Sequence, residues 1–387
     1  MSLDNAAVTA SEFPIALFSL GLPLMLAAYG MNGFTAPYNL ADILVTGLAV
    51  LGLLAEPFKN DRDSTTPLWF KAGIPTLLIV WISFTSFAEL TLPLTEALPF
   101  LMEARPALYL LVAALWLTKF GPPKTGQLSF WSCWLAALIC AEFIYRFFWQ
   151  NLSSEPNFFG NFALTGPILL TGLCATLHNS SENKLSRIVI LAGIFCALSR
   201  DISIAAVLVL LLFGPKGGMK KVVLVFFLLL SNYISLAPHE LTILNRNDLP
   251  SYWLWFTILD LLANNPILLL TGFPASTPLP LSIPTSLWNL WHEQHHVWTD
   301  LGIYLFHITP FWLHLLTAWG LGGICIVAAI GTSIFRRYPS DMMAGLITAV
   351  TITGFFSPLF YAPASAIILI MGFICAAQPE VQSFSFE

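Results

Sequence analysis

Long apolar stretches recur along the chain from Phe13 to Ala377, and short segments rich in glycine, proline or charged residues separate them. Many of these stretches approach the roughly 20 residues that a helix needs to cross a bilayer. Polar and apolar positions do not alternate within them, as they would in the strands of a membrane β-barrel. The pattern therefore predicts an all-α polytopic membrane protein with about twelve transmembrane helices. We place these at residues 14–30, 38–55, 70–89, 105–120, 129–148, 157–177, 187–199, 202–214, 221–237, 310–335, 341–358 and 361–377.

The composition agrees with this class of protein. Hydrophobic residues make up 57% of the 387 residues, charged residues make up only 10%, and the mean hydropathy is +0.77. Soluble domains carry about 25% charged residues. We therefore predict a single integral membrane domain over residues 1–387, with membrane lipid and not nucleic acid as its partner. No lysine or arginine precedes the first apolar stretch, which favours a retained helix over a cleaved signal peptide.

The basic residues predict the orientation, because cytoplasmic loops collect lysine and arginine. With the N-terminus inside, the predicted cytoplasmic loops and their flanks hold twelve of the sixteen basic residues. The remaining four are Arg105, Arg146, Arg200 and Arg246, and each falls at an outward-facing helix end or loop. The topology explains the twelve, whereas these four arginines need another reason.

Residues 188–213 allow two interpretations. They could form one tilted helix with Arg200 in the middle of the membrane, or two short helices that turn at Ser199, Arg200 and Asp201. A single helix would place Lys184 and Lys216 on opposite sides of the membrane, against the charge rule. We therefore predict the two-helix hairpin, which leaves Arg200 at the outer side.

The longest segment between predicted spans, residues 238–309, separates spans 9 and 10. It contains the sequence SYWLWFTILDLLANNP, which predicts an amphipathic helix that ends before Pro266. Six tryptophans lie in or just after this segment, and five of the seven histidines (292, 295, 296, 307 and 314) lie in its second half or just after it. Tryptophan is typical of the membrane interface, and so we predict an outer cap over a cavity.

The four outer arginines suggest an anion site, because the planar guanidinium forms paired hydrogen bonds with phosphate. We expect a lipid phosphate or pyrophosphate beneath the cap, with Arg200 as the first candidate ligand. Each of the others has a simpler alternative: Arg146 can pair with Glu142 four residues earlier, Arg105 can meet lipid headgroups, and Arg246 can be an interfacial residue.

The histidines favour acid–base chemistry over metal binding. The sequence HEQHH lacks the i, i+4 spacing of a helical zinc pair, and no carboxylate pattern completes a metalloprotease motif. We therefore predict no metal and no other cofactor. A neutral histidine can instead take the proton from an acceptor hydroxyl. The six cysteines lie in or beside apolar stretches without a CxxC spacing, which predicts packing residues.

Four patches resemble one known family in their order along the chain. They are SEPNFFGNFALTGPILLTGL (154–173), ALSRDISIAAVLVLLLF (197–213), WFTILDLLANNPILLLTGF (255–273) and LLTAWGLGG (315–323). Together with the span count and the long loop between spans 9 and 10, they resemble the superfamily of O-antigen ligases and O-antigen polymerases. Arg200 takes the position of the family's Ser-Arg motif, and Asp201 replaces the glycine that usually follows it.

The resemblance implies an inverting, metal-independent glycosyltransferase in the bacterial inner membrane, with its active site facing the periplasm. The donor would be a glycan on undecaprenyl pyrophosphate, and the acceptor a hydroxyl of a glycan, lipid or protein. Arg200, Arg246 and Arg146 would bind the pyrophosphate. Because the family's histidine position falls on Thr309, the nearby His307 is a candidate base, with His295 and His296 as rivals.

A transporter or flippase for a polysaccharide or lipid-linked sugar is the main alternative. Such a protein places charged groups within the membrane and is often built from inverted repeats. Asp42 and Glu142 are the carboxylates that it would use. The chain shows no convincing internal repeat, and so we favour the enzyme.

Overall fold

The computed structural model describes residues 3–31, 40–54, 102–149, 162–177, 183–197, 199–214, 251–294 and 302–378, together with residues 99 and 226. The described helices, numbered in chain order, are α1 (Leu3–Ala16), α2 (Leu22–Met31), α3 (Leu40–Leu54), α4 (Arg105–Phe120), α5 (Thr125–Trp149), α6 (Phe162–Ala175), α7 (Lys184–Cys196), α8 (Arg200–Phe213), α9 (Ser251–Asn264), α10 (Pro266–Thr271), α11 (Thr285–Gln294), α12 (Phe311–Arg337), α13 (Asp341–Thr353) and α14 (Pro363–Ala376). A π-helical turn, Leu17–Gly21, joins α1 to α2, and short 3₁₀ turns cover Leu305–His307 and Leu359–Tyr361.

This part of the chain is almost entirely helical, and it contains no β-strand beyond an isolated bridge between Leu279 and Ile303. The predicted all-α class is therefore confirmed. Three stretches are long and apolar enough to cross a membrane, namely Ala10–Ala28, Thr125–Tyr145 and Phe311–Arg337. Five shorter apolar helices accompany them, so that the count of twelve spans stays a prediction. The predicted span 70–89 lies outside the described residues, and so does 221–237 apart from Phe226.

The main core is formed by α1 to α8 together with α13 and α14. Its buried residues include Phe18, Tyr109, Leu135, Ile194 and Met343, none of which is more than 1% exposed. Several helices approach one another closely where small residues meet. An added Cβ at Gly193 in α7 would lie 2.5 Å from the Cβ of Ala136 in α5, so the two backbones are almost in contact there.

A second core connects the predicted cap to the beginning of α12. Leu254 and Ile258 of α9 and Trp291 of α11 are buried together with Ile303 and Leu313. The amphipathic helix predicted before Pro266 is confirmed, since α9 ends at Asn264 and α10 begins at Pro266. The described part of the predicted cap segment thus has apolar packing of its own, which extends to the first half of α12.

A kink at Gly320 divides α12 into two halves. Gly320 has φ 63° and ψ −164°, a conformation that essentially only glycine adopts, and an added Cβ would lie 2.3 Å from the carbonyl oxygen of Leu270. The Phe273 amide donates to the Thr317 carbonyl oxygen at 2.7 Å, just before this kink. The backbone of α10 therefore fits directly against the bend in α12.

Hydrogen bonds between helices sort the helix ends into two groups. One group, which we call the Glu103 end, comprises Asp42, Glu103, Arg105, Asp201, His314, Ser357 and Tyr361. The other, the Lys119 end, comprises Glu12, Leu53, Lys119, Pro123, Thr176, Arg187, Ser340, Ala376 and Gln378. Helix α4 runs from the first group to the second, because Arg105 meets Asp42 and Lys119 Nζ donates to the Leu53 carbonyl oxygen.

Candidate functional site

The helix break at Ser199 places Arg200 at the Glu103 end. Helix α7 ends at Cys196 and α8 begins at Arg200, with Ser199 in an extended conformation between them. The Ser203 amide and hydroxyl both donate to the Ser199 carbonyl oxygen, at 3.1 and 2.8 Å, and this anchors the first turn of α8. The prediction of two helices is thus confirmed, and a single helix over 188–213 is excluded.

Asp201 is held by two serine hydroxyls. Ser199 Oγ donates to its Oδ1, and Ser357 Oγ, from the connection between α13 and α14, donates to its Oδ2 at 2.8 Å. Ser357 also accepts from the Phe311 amide at 3.1 Å through its carbonyl oxygen. Asp201 therefore ties the start of α8 to the start of α12 through one serine, and both of its carboxylate oxygens are engaged.

A cluster of three polar side chains, two of them buried, lies at the same end. His314 Nε2 lies 2.7 and 2.9 Å from the carboxylate oxygens of Glu103, and the Tyr361 hydroxyl donates to Glu103 Oε1 at 2.7 Å. The His314 and Glu103 side chains are only 2% and 3% exposed. Because a carboxylate accepts hydrogen bonds and does not donate them, His314 Nε2 carries the proton. The ring is therefore a hydrogen-bond donor to Glu103.

Two further contacts define this cluster. His314 Nδ1 lies 3.3 Å from the Ile308 carbonyl oxygen, so an oxygen atom lies beside each ring nitrogen. Tyr361 lies in the turn before α14 and is partly buried, and its hydroxyl donates to Glu103. The cluster joins the residues before α4, the first turn of α12 and the turn before α14.

Arg105 has an ionic partner within the protein. Its guanidinium lies 3.1 Å from Asp42 Oδ2 in α3, and the Tyr109 hydroxyl donates to Asp42 Oδ1 at 2.6 Å. The Arg105 and Asp42 side chains are 24% and 26% exposed. Asp42, one of the two carboxylates that a transporter would use, thus pairs with Arg105, and the pair joins α3 to α4.

His307 lies in the second core, packed against Trp291. Its Nδ1 accepts from the Tyr304 amide at 3.0 Å, and the edge-to-face ring contact with Trp291 has a centroid distance of 4.7 Å. Because Nδ1 accepts, the neutral ring carries its proton on Nε2. In this arrangement Nδ1 is occupied by the Tyr304 amide, and a role as base requires that contact to open. That role stays a prediction.

The other predicted site residues are less closely placed. Arg146 belongs to the last turns of α5, and Arg246, His295 and His296 lie outside the described residues. Glu142, the predicted helix partner of Arg146, is buried in α5. In the described ranges, no group of three His, Cys, Asp or Glu side chains is arranged to hold a metal ion.

The structure brings together residues that the hydropathy pattern did not connect. The sequence assigned no role to Glu103, and it did not distinguish His314 from the other histidines in or near the predicted cap. The one local signal is a carboxylate two residues before Arg105, at the beginning of an apolar stretch. Intramembrane or near-membrane carboxylates usually have a partner, but the sequence does not say which one.

Comparisons with known proteins bear on the family assignment. No protein-family model matches the chain, and no curated protein is similar to it at a significant level. The resemblance to the O-antigen ligase and polymerase superfamily therefore stays a prediction that depends on the quoted patches.

Proposed function

We propose that the protein is a membrane glycosyltransferase of the O-antigen ligase or polymerase type. It moves a glycan from undecaprenyl pyrophosphate to an acceptor hydroxyl at the periplasmic face of the bacterial inner membrane. Arg200, with Arg246 and Arg146, binds the diphosphate, and His295, His296 or His307 is the base. The mechanism is inverting and needs no metal, and the chain crosses the membrane about twelve times.

The observation that carries the proposal is the helix break that sets Arg200 at the start of α8, at the Glu103 end. The amino-terminal end of a helix favours anions, and arginine is a residue type that binds phosphate through paired hydrogen bonds. The adjacent Asp201 is already hydrogen-bonded by Ser199 and Ser357. The Asp201 carboxylate therefore fixes the start of α8, next to Arg200 along the chain.

The contacts between helix ends support the proposed topology. Every residue of the Glu103 end belongs to a helix end or connection predicted to be outer, and every residue of the Lys119 end to one predicted to be cytoplasmic. Twelve spans require an odd number of crossings between Leu53 and Glu103, and these two residues lie at opposite ends. By the charge rule the Lys119 end is cytoplasmic, and Arg200, at the opposite end, then faces the periplasm.

The proposed reaction follows from this placement. The acceptor oxygen attacks the anomeric carbon as the bond from that carbon to the pyrophosphate oxygen breaks, with inversion at the carbon. The histidine takes the acceptor proton, and the leaving diphosphate gains negative charge that fixed arginines stabilise. His307 Nδ1 already accepts from Tyr304, and so His295 and His296 are the first bases to test.

The decisive assay uses purified protein, an undecaprenyl-pyrophosphate glycan and an acceptor, with EDTA present. We expect transfer to continue in EDTA, to be lost in Arg200→Ala, and to be retained in Arg336→Ala. Arg336 is a matched control because it is exposed and ends α12, far from Arg200 in the fold. Loss of transfer in only one of the variants His295→Ala, His296→Ala and His307→Ala would identify the base. A requirement for added metal, or full activity of Arg200→Ala, would refute the mechanism.

One observation favours the alternative of a transporter or flippase. The paired Glu103 and His314 are buried ionisable groups, which in membrane proteins often belong to proton or substrate pathways. Both, however, lie beside the beginning of a helix and not near its centre. This position favours a contact that holds helix ends together over a transport pathway. Counterflow of a lipid-linked glycan in liposomes, without glycan transfer and abolished by Glu103→Gln, would favour the transporter.

A further inference from the structure

Two cysteine side chains meet between α5 and α7. The thiols of Cys140 in α5 and Cys196 in α7 are hydrogen-bonded to each other, and both residues are partly exposed. They are 56 positions apart in a chain without a CxxC spacing, so that the sequence pattern alone does not connect them. The contact is between two nucleophilic groups that the proposed reaction does not use.

The packing of the two helices accounts for this contact independently of the thiols. At Gly193 an added Cβ would lie 2.7 Å from the Cα of Ala136, so the helices cross there with their backbones nearly touching. The helices run in the same direction, because Cys133 near the start of α5 donates to the Ser186 carbonyl oxygen near the start of α7 at 3.5 Å. Cys140 lies one helical turn beyond Ala136.

Cys196 lies about one turn beyond Gly193, on the same side of the crossing. Parallel helices that nearly touch at the crossing bring side chains one turn further along each helix next to each other. A disulfide requires Cα atoms about 4.4–6.8 Å apart, a separation that only closely packed helices offer. A glycine at the crossing provides that close approach.

We propose that Cys140 and Cys196 form a reversible disulfide that links α5 to α7. The oxidant is the disulfide of a thiol–disulfide oxidoreductase. One thiolate attacks a sulfur of that disulfide, and the second cysteine then displaces the oxidant from the mixed disulfide. The protein gains one S–S bond, and the oxidant leaves as a dithiol that has taken up the two hydrogens.

A bond between Cys140 and Cys196 would also restrain the helix break at Ser199. Cys196 is the last residue of α7 and lies four residues before Arg200. A bond to Cys140 would fix the end of α7 on α5 immediately ahead of Ser199. The proposal itself does not depend on the glycosyltransferase, since it rests only on the packing of the two helices.

The test uses the full-length protein in detergent, reduced with dithiothreitol, freed of it, and then oxidised with diamide. Remaining thiols are alkylated with N-ethylmaleimide, and the peptides are analysed by mass spectrometry. We expect one linked pair containing Cys140 and Cys196, lighter by two hydrogens and separated again by dithiothreitol. Cys325 is exposed, and we expect it to be alkylated before and after oxidation.

Matched variants distinguish this pair from non-specific oxidation. Cys133→Ser removes a thiol of the same helix whose partner is a backbone carbonyl, and we expect the linked pair to remain. Cys196→Ser should leave Cys140 fully alkylated. If Cys140 and Cys196 are alkylated after oxidation of the wild-type protein, or if either links to another cysteine instead, the proposal is wrong.

Discussion

Replacing Glu103 by glutamine should destabilise the protein strongly, because the change leaves His314 without its charged partner in a buried place. Both side chains are at most 3% exposed, and the distances to Nε2 are 2.7 and 2.9 Å. Removing one partner of a buried ion pair costs about 3–5 kcal/mol. We expect about 3 kcal/mol, the low end of that range, because the amide oxygen of glutamine still accepts from Tyr361.

The free energy of unfolding can be measured by titrating the protein with SDS in mixed micelles and following tryptophan fluorescence. Glu12→Gln is the matched control, since Glu12 lies at the Lys119 end, is half-buried and accepts one hydrogen bond from Trp131 at 3.1 Å. The same substitution there should cost below about 1 kcal/mol, as for a partly exposed polar group.

A double variant tests whether the loss of stability comes from the contact between Glu103 and His314. Two glutamines at positions 103 and 314 can hydrogen-bond to each other. The loss of stability in the double variant should therefore be smaller, by about 1 kcal/mol or more, than the sum of the losses in Glu103→Gln and His314→Gln. If Glu103→Gln unfolds within about 0.5 kcal/mol of the wild type, or if the two costs simply add, the buried pair does not hold these helix ends together.

Two further predictions concern the bend in α12 and the contact between α3 and α4. Gly320→Ala should lower the free energy of unfolding by about 1–3 kcal/mol or more, since φ is positive and the new Cβ meets the Leu270 carbonyl oxygen at 2.3 Å. In the same SDS titration Gly331→Ala should be neutral or stabilising, because nothing lies within 4 Å of its added Cβ; equal effects at both glycines would refute the account of the kink. Tyr109→Phe removes one hydrogen bond to Asp42 and should cost about 1.5 kcal/mol, near the low end for bonds to a partly exposed charged group. An unchanged unfolding midpoint would show that the salt bridge alone fixes this contact.

The positions of many described helices could be predicted from the sequence because residues that stop a helix separate most of the apolar stretches. Helices α10 and α11 were not predicted. The stretch predicted at 105–120 is the helix Arg105–Phe120, and it ends at Gly121, which has φ 78°. The break between α7 and α8 followed from the positions of the basic residues on either side. Hydropathy gave no sign of the kink at Gly320, since the residues on both sides of it are equally apolar.

The partners within the site could not be predicted, because hydropathy describes one residue at a time. Asp42 and Arg105 are 63 residues apart, and Glu103 and Tyr361 are 258 apart. Each is an isolated polar residue near the end of an apolar stretch, so that any of several ends could have supplied its partner. Only the order in which the helices pack decides among them.

The basic residues are distributed unequally between the two groups of helix ends, and this bears on Arg200 independently of the family resemblance. Lysines 119, 124 and 184 and arginines 187, 336 and 337 all belong to helix ends or flanks on the Lys119 side. At the opposite end, Arg105 has Asp42 as its counter-charge, and Glu103 accepts from His314 Nε2. The carboxylate nearest to Arg200 along the chain, Asp201, is bound by two serines. A cation placed away from the basic side costs free energy unless an anion meets it. In the proposed function, a lipid-linked diphosphate is the anion that Arg200 binds.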